Sequence, residues 1–335
     1  MNRKYLNLAA FVLVCSLALG FTLAGCSDDE VGGNSYSDGN GGGVNNHGDR
    51  VYFIKMAENT EASGTLYYIP VGSTKVVACS NKNMTSFYLN KAGTKIVFSE
   101  ILSGYSGTYI GFMNIDGKEY QQTNISGSNP CFGSDENIVY FDDGGNVYSM
   151  KIDGTEKQVI NIPGVDGTKR FPRISPDGKK LAFYQTSPGS RWYYDDVVYL
   201  YIYDLDTNQV TKLNNNSIPV SYLNWSPDGT IIAFSTTTGI TPQVYELWVV
   251  ETDGTSQPEQ ISDNGSPATG ACGFPSFTKD GSILCGSTKN KKLNYRSSWD
   301  GDHYMYELAT IEADGLSLTT ILLPGYSIKN PLANW

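Results

Sequence analysis

Basic charge and histidine are scarce in this sequence. In 335 residues, 24 Lys and Arg stand against 34 Asp and Glu, giving a formal charge of −10 and a pI near 4.7. Affinity for phosphate backbones comes from Lys and Arg displacing counterions, so this balance argues against nucleic acid as a partner. The two histidines, His47 and His303, are too few for a multi-histidine metal centre, although carboxylates alone could hold Ca²⁺. Long helices and coiled coils need stretches rich in Ala, Glu, Lys and Leu, and these are missing. No G-x-S-x-G occurs, and the glycine-rich stretches at 39–43 and 142–145 lack the Lys of a phosphate loop. No cofactor and no catalytic residue are assigned. Only 17% of residues are charged, while 36 Gly and 23 Tyr favour short strands joined by tight turns.

The one long apolar run, Leu6 to Leu23, follows Arg3 and Lys4 and leads into Leu23-Ala24-Gly25-Cys26. A basic start, an apolar run and small residues predict a secretory signal over residues 1–25, with an uncleaved anchor helix as the alternative. The tetrad resembles the bacterial lipobox, which implies lipidation of Cys26 as the mature N-terminus. Losing residues 1–25 deletes two positive charges and no acid. The anionic body has no attraction to anionic lipid, so acyl chains must hold it at the membrane. By the same resemblance Ser27, in place of an Asp, implies outer-membrane sorting. Asp28-Asp29-Glu30 resembles the surface-export signal of Bacteroidota lipoproteins. Residues 26–48, rich in Gly, Asn and Ser, cannot offset their ordering entropy and are expected to form a tether with a reach of about 25 Å.

A repeat organises the rest. Ile174-Ser-Pro-Asp-Gly-Lys-Lys-Leu-Ala-Phe183 matches Trp225-Ser-Pro-Asp-Gly-Thr-Ile-Ile-Ala-Phe234, with weaker copies beginning at Leu89, Phe132 and Phe277. Each predicts a strand, a tight turn and a buried strand, because Asp-Gly supplies the positive φ of a short hairpin loop. A further pair of strands follows each copy, turning at Asp116-Gly117, Asp153-Gly154, Asp206-Thr207, Asp253-Gly254 and Asp314-Gly315. Four strands per repeat predict a propeller blade. Residues 329–335 match an innermost strand and Gly48 to Phe53 a second strand, so the C-terminal strand is expected to complete the first blade. The prediction is an all-β, six-bladed β-propeller over residues 49–335.

The two Ser-Pro-Asp-Gly copies, in their place within a four-strand repeat, resemble the WD40-like (PD40) propeller repeats of the TolB type. That resemblance covers residues 49–335. TolB carries an additional α/β domain before its propeller where this chain has a tether, so an envelope-integrity role does not simply transfer. Peptidases with a propeller lid need a separate hydrolase domain, for which no residues are expected to remain. Propeller oligogalacturonate lyases rely on several His ligands, which this composition does not supply.

Extra residues concentrate in the second-to-third-strand connections. One carries Arg191, Trp192, Tyr193, Tyr194 and Asp195; another carries Tyr295, Arg296, Trp299, Asp302 and, in a loop, His303. Aromatics beside charged groups suit a peptide, a protein surface or a sugar ring, and loops on a rigid scaffold commonly carry function. Folding back to cap the blades is the alternative. The expected partner is an envelope protein, peptide or glycan. An enzyme acting on polysaccharide through Asp195, Asp300, Asp302 and His303 is the competing reading. Of the four later cysteines, Cys79 is expected on an outer strand and Cys131 on an innermost one. Cys272 and Cys285 flank one hairpin out of direct register, and their pairing stays open.

Overall fold

The computed structural model describes residues 50–56, 63–71, 73, 75–187, 198–237, 245–262, 271–289, 293–297, 301–304, 306–311, 318–320 and 328–334, all within the unit Asn46–Trp335. For 237, 293–297, 301–304, 318–320, 328–330 and 333–334 it describes the backbone alone. The signal, Cys26 and the tether lie outside the described residues.

The described residues form strands and turns without a helix. In chain order the strands are β1 (Arg50–Met56), β2 (Gly64–Pro70), β3 (Val77–Ala78), β4 (Met84–Leu89), β5 (Lys95–Glu100), β6 (Tyr109–Asn114) and β7 (Gln121–Ser126). Next come β8 (Ser128–Phe132), β9 (Ile138–Asp143), β10 (Asn146–Lys151), β11 (Gln158–Val159), β12 (Thr168–Ile174), β13 (Lys180–Thr186), β14 (Val198–Asp204) and β15 (Val210–Lys212). The remainder are β16 (Val220–Trp225), β17 (Ile231–Thr237), β18 (Tyr245–Glu251), β19 (Glu259–Gln260), β20 (Cys272–Phe277), β21 (Ile283–Ser287), β22 (Leu293–Ser297), β23 (Gly301–Tyr304), β24 (Glu307–Ile311), β25 (Leu318–Thr320) and β26 (Ile328–Asn334).

Four antiparallel four-stranded meanders, β8 to β11, β12 to β15, β16 to β19 and β20-β21-β24-β25, are blades of a propeller. An eight-stranded sheet holds two further meanders, β26-β1-β2-β3 and β4-β5-β6-β7, joined among the described residues where Gly64 pairs with Met84. β26 lies antiparallel on β1, with Arg50 opposite Asn334 and Lys55 opposite Ile328. The innermost strands pack in a cycle: β4 on β8, then β12, β16, β20, β26 and back to β4. Each inner strand therefore has a packed neighbour on both sides, which protects the short edges a propeller leaves.

Layering follows from burial. Second strands are covered on both faces and read as unbroken apolar runs, as in Leu181 to Tyr184, whereas outer strands such as β7, β11 and β19 are mostly exposed and polar. Phe53, Phe141, Phe183 and Phe234 hold equivalent second-strand positions, and all are fully buried. Each stacks on the aromatic directly opposite on the third strand: Tyr67, Tyr148, Tyr201 and Trp248, with ring centroids 5.7–6.4 Å apart. Phe98 departs from this pattern. Its opposite residue is Gly111, and Tyr120 stacks on it instead at 6.0 Å.

The turns behave as structural devices. Ser175 Oγ donates to Asp177 Oδ1 at 2.6 Å and accepts the Lys180 amide at 2.9 Å, while Asp177 accepts the Lys179 amide at 3.1 Å. Ser226, Asp228 and Thr230 to Ile231 repeat the arrangement. These hydrogen bonds pull both Asp carboxyls below the usual carboxylate range.

Candidate functional site

The inner strands share an irregularity. All six break register with their second strand, at Met84/Ser86 on β4, Ser128/Cys131 on β8, Arg170/Arg173 on β12, Val220/Tyr222 on β16, Gly273/Ser276 on β20 and around Asn330 on β26. Four of these bulges contain proline: Asn129-Pro130, Phe171-Pro172, Phe274-Pro275 and Asn330-Pro331. Proline has no amide to donate and is tolerated on an edge strand at a bulge. Asn129, Phe171 and Phe274 adopt left-handed φ of 52°, 59° and 60°. For a non-glycine residue before proline this is a strained conformation that the surroundings must hold.

At Phe171 and Phe274 the preceding blade holds it. Asp142 on β9 accepts the Phe171 amide at 3.0 Å and the Asn129 side-chain amide at 2.8 Å. In the equivalent place on β17, Ser235 accepts the Phe274 amide at 2.9 Å. Burial raises the Asp142 carboxyl to about 6, against the lowering effect of the two hydrogen bonds.

Within the channel, Tyr222 lies edge-on to Phe171 at 5.3 Å and to Phe274 at 4.7 Å. Tyr88 of β4 donates across the axis to Asn224 Oδ1 of β16 at 3.4 Å. Beside it Arg173 is 3% exposed, with its guanidinium 4.1 Å from the Phe171 ring and 5.1 Å from the Tyr88 ring. Arg173 Nη1 donates to the Asn129 and Pro172 carbonyls at 2.9 and 2.8 Å, and Nε has no partner. A pocket of about 10 Å³ lies here. It shares Tyr88, Asn224 and Leu332 with a funnel of about 340 Å³ walled by Leu89, Phe132, Ile174, Trp225, Phe277 and the polar turn residues. The funnel thus opens at the end bearing the first-to-second-strand turns.

The sequence-predicted residues that are described belong to the other end, where second and third strands connect. Arg191, Trp192, Tyr193, Tyr194, Asp195 and Trp299 lie outside the described residues. The rest fall on a hairpin: β22 and β23 form a two-stranded sheet of their own between β21 and β24, with Tyr295 opposite His303 and Arg296 opposite Asp302. His303 is therefore in a strand and not in a loop; alternating pairing over Leu293–Ser297 and Gly301–Tyr304 converts the expected loop into a ribbon. Cys79 follows the outer strand β3 and Cys131 lies in the innermost β8, as expected. Cys272 and Cys285 are buried free thiols, with Cys285 level with the Phe274-Pro275 bulge. A hydrogen bond with Cys272 and burial push the Cys285 thiol up.

The axial residues Asp142, Arg173 and Tyr88 were missed by sequence reasoning. A signal existed: Pro130, Pro172 and Pro275 each precede the turn aspartates Asp135, Asp177 and Asp280 by five residues. A proline at a fixed offset inside an otherwise good strand marks a bulge.

Residues 175–280 match the family model of the dipeptidyl peptidase IV N-terminal region. Over 131 residues the chain is 33% identical to the probable dipeptidyl-peptidase 5 of Emericella nidulans, a match covering 37% of this chain and 18% of that protein. The chain therefore aligns with under a fifth of that relative's length. Among solved structures, TolB from Acinetobacter baumannii superposes with a TM-score of 0.59 at 17% identity, over 85% of this chain and 66% of that one. An oligogalacturonate lyase in complex with manganese gives 0.50 at 14% identity, over 82% and 73%. The likeness is one of fold. This chain is a β-propeller similar to TolB-type propellers, and at these identities the chemistry of neither neighbour comes with it.

Proposed function

We propose that the chain is a lipid-anchored cell-envelope binding module, a six-bladed propeller that holds a protein, peptide or glycan on the face carrying its second-to-third-strand connections. The count of six is supported by the cycle of inner strands, with the eight-stranded sheet taken as two blades and β26 completing the first. The anchor rests on the lipobox resemblance at Cys26, and its place at the outer membrane, on the periplasmic or external side, on Ser27 standing where an Asp would retain it at the inner membrane.

The observation that carries the reading is the separate β22–β23 sheet. A blade needs no such ribbon to close its core, yet it brings Tyr295, Arg296, Asp302 and His303 into one short register. Aromatic and guanidinium groups on a rigid support are frequent anchors of recognition. The test is a crosslinking pull-down from intact cells, comparing the native protein with a Trp192→Ala/Trp299→Ala variant. An envelope protein captured by the native chain and lost in the variant supports the reading. Capture unchanged by the substitutions removes the proposed site. With no protein captured by either, binding to a glycan panel decides, and glycan cleavage lost in Asp302→Asn would replace the binding module with an enzyme.

A further inference from the structure

The described lining residues of the funnel include no Asp or Glu, and the nearby carboxylates of Glu136, Asp177 and Asp228 are taken up by hydrogen bonds from Asn90, Ser175 and Ser226 at its rim. The charged residue in its wall is Lys91, exposed at the wide end. Arg173 lines the separate pocket of about 10 Å³ that meets the funnel at Tyr88, Asn224 and Leu332; it is buried and permanently charged, with Nε lacking an acceptor among the described residues.

The described partners of Arg173 are the Asn129 and Pro172 carbonyls, the Cys131 side chain and the Phe171 and Tyr88 rings, with no carboxylate paired to it. Among the described residues Arg173 makes no ion pair within 4.0 Å; the ion pairs at that distance are Lys118–Asp116, Lys151–Glu156 and Lys157–Asp143. Asp142, the buried acid whose charge Arg173 feels, is already taken up by the Phe171 amide and Asn129. A buried charge is ordinarily paired, and an unsatisfied donor in a native interior asks for a missing partner. The 10 Å³ pocket at Arg173 is the size of one water or one oxygen atom. Above it, the 340 Å³ volume lies in the range of small-molecule sites, and its wall includes Leu89, Phe132, Trp225 and Phe277.

We infer that the funnel binds a small amphipathic monocarboxylate, one carboxylate oxygen directed into the pocket at Arg173 and the apolar body lying against Trp225, Phe132 and Phe277. Inorganic phosphate suits the site poorly, because it would leave the apolar wall wet. The site is independent of the ribbon, since the two stand at opposite ends of the strands.

The test is calorimetric titration of the full chain in detergent with N-acetylphenylalanine, its uncharged carboxamide and inorganic phosphate. The acid is expected to bind, with the carboxamide and phosphate at least about tenfold weaker. Lys91→Glu, an exposed change that leaves the interior untouched, is expected to weaken the acid about threefold or more and to spare the carboxamide. Arg173→Gln should abolish the preference for the acid, with circular dichroism confirming that the variant folds. Equal binding of acid and carboxamide, tighter binding of phosphate, no binding of the acid, or indifference of the acid to Lys91→Glu would each overturn the assignment. The Trp192→Ala/Trp299→Ala variant should bind the acid as the native chain does, which separates this site from the ribbon.

Discussion

The Asp142 carboxylate accepts the Phe171 amide at 3.0 Å, so the second strand of one blade holds the left-handed kink in the inner strand of the next. Ser235 and Phe274 repeat the relationship with a neutral acceptor. The kinks press Phe171 and Phe274 against Tyr222 in the channel, and these two hydrogen bonds couple the channel wall to the joints between blades.

Ser235→Ala tests the neutral clasp. Ser235 is fully buried, and the substitution leaves the Phe274 amide without its acceptor in an apolar site. A loss of about 1–3 kcal/mol is expected from the urea-unfolding midpoint. A loss no larger than that of an exposed Ser→Ala change would show that the clasp does not bear on stability.

Asp142 should give stability a dependence on pH. Its carboxyl rises from 3.8 to about 6 on folding, so the folded state binds the proton more tightly than the unfolded chain. The contribution to stability is full below about pH 3.8 and is lost as pH rises through 6. Two pH units of separation correspond to about 3 kcal/mol. Asp142→Asn cannot titrate. The difference in urea midpoint between native and variant chains should therefore shift between pH 4 and 7 and flatten above it, whereas parallel profiles would place the carboxyl at an ordinary value.

Two glycines separate backbone strain from crowding. Gly178 has φ 75°, and a Cβ there would lie 2.1 Å from the Ser134 Cβ of the preceding blade; Gly281 has φ 90° with nothing within 4 Å. Both Ala variants should lose about 1–2 kcal/mol from the left-handed backbone. Gly178→Ala should lose about 1–3 kcal/mol more, because one blade must move off the next. Equal losses in thermal unfolding would mean that the blade joint has slack.

Much of this was legible before any coordinates. Ser-Pro-Asp-Gly announces its own turn because Ser, Asp and the two following amides satisfy one another locally, as at Ser175 and Ser226. The second strands were legible for the same local reason: burial on both faces writes an unbroken apolar run. The axis was not. Tyr88 and Asn224 are 136 positions apart and meet only once the ring has closed, so no window of sequence contains their contact. Arg173 reads as an ordinary solvent-facing residue of an edge strand, and Asp142 as part of the turn at Gly144-Gly145. Both are buried by neighbouring blades, which only the closed structure supplies.

Deleting β26 tests the closure. Tyr52 and Ile54 are fully buried beneath it, and removal would bare the edge of β1. Light scattering should find the truncated chain self-associated, since an open apolar edge recruits another strand. A stable monomer would show that the ring closes without its last strand.

The β1–β26 pairing also imposes an order in time. β1 is made long before its partner β26, and every intervening blade must emerge before Lys55 can meet Ile328. Until then the growing chain carries an unpaired edge, the kind of surface on which unfinished proteins aggregate. A folding helper that shields extended strands would be needed most at β1, and until β26 has been made.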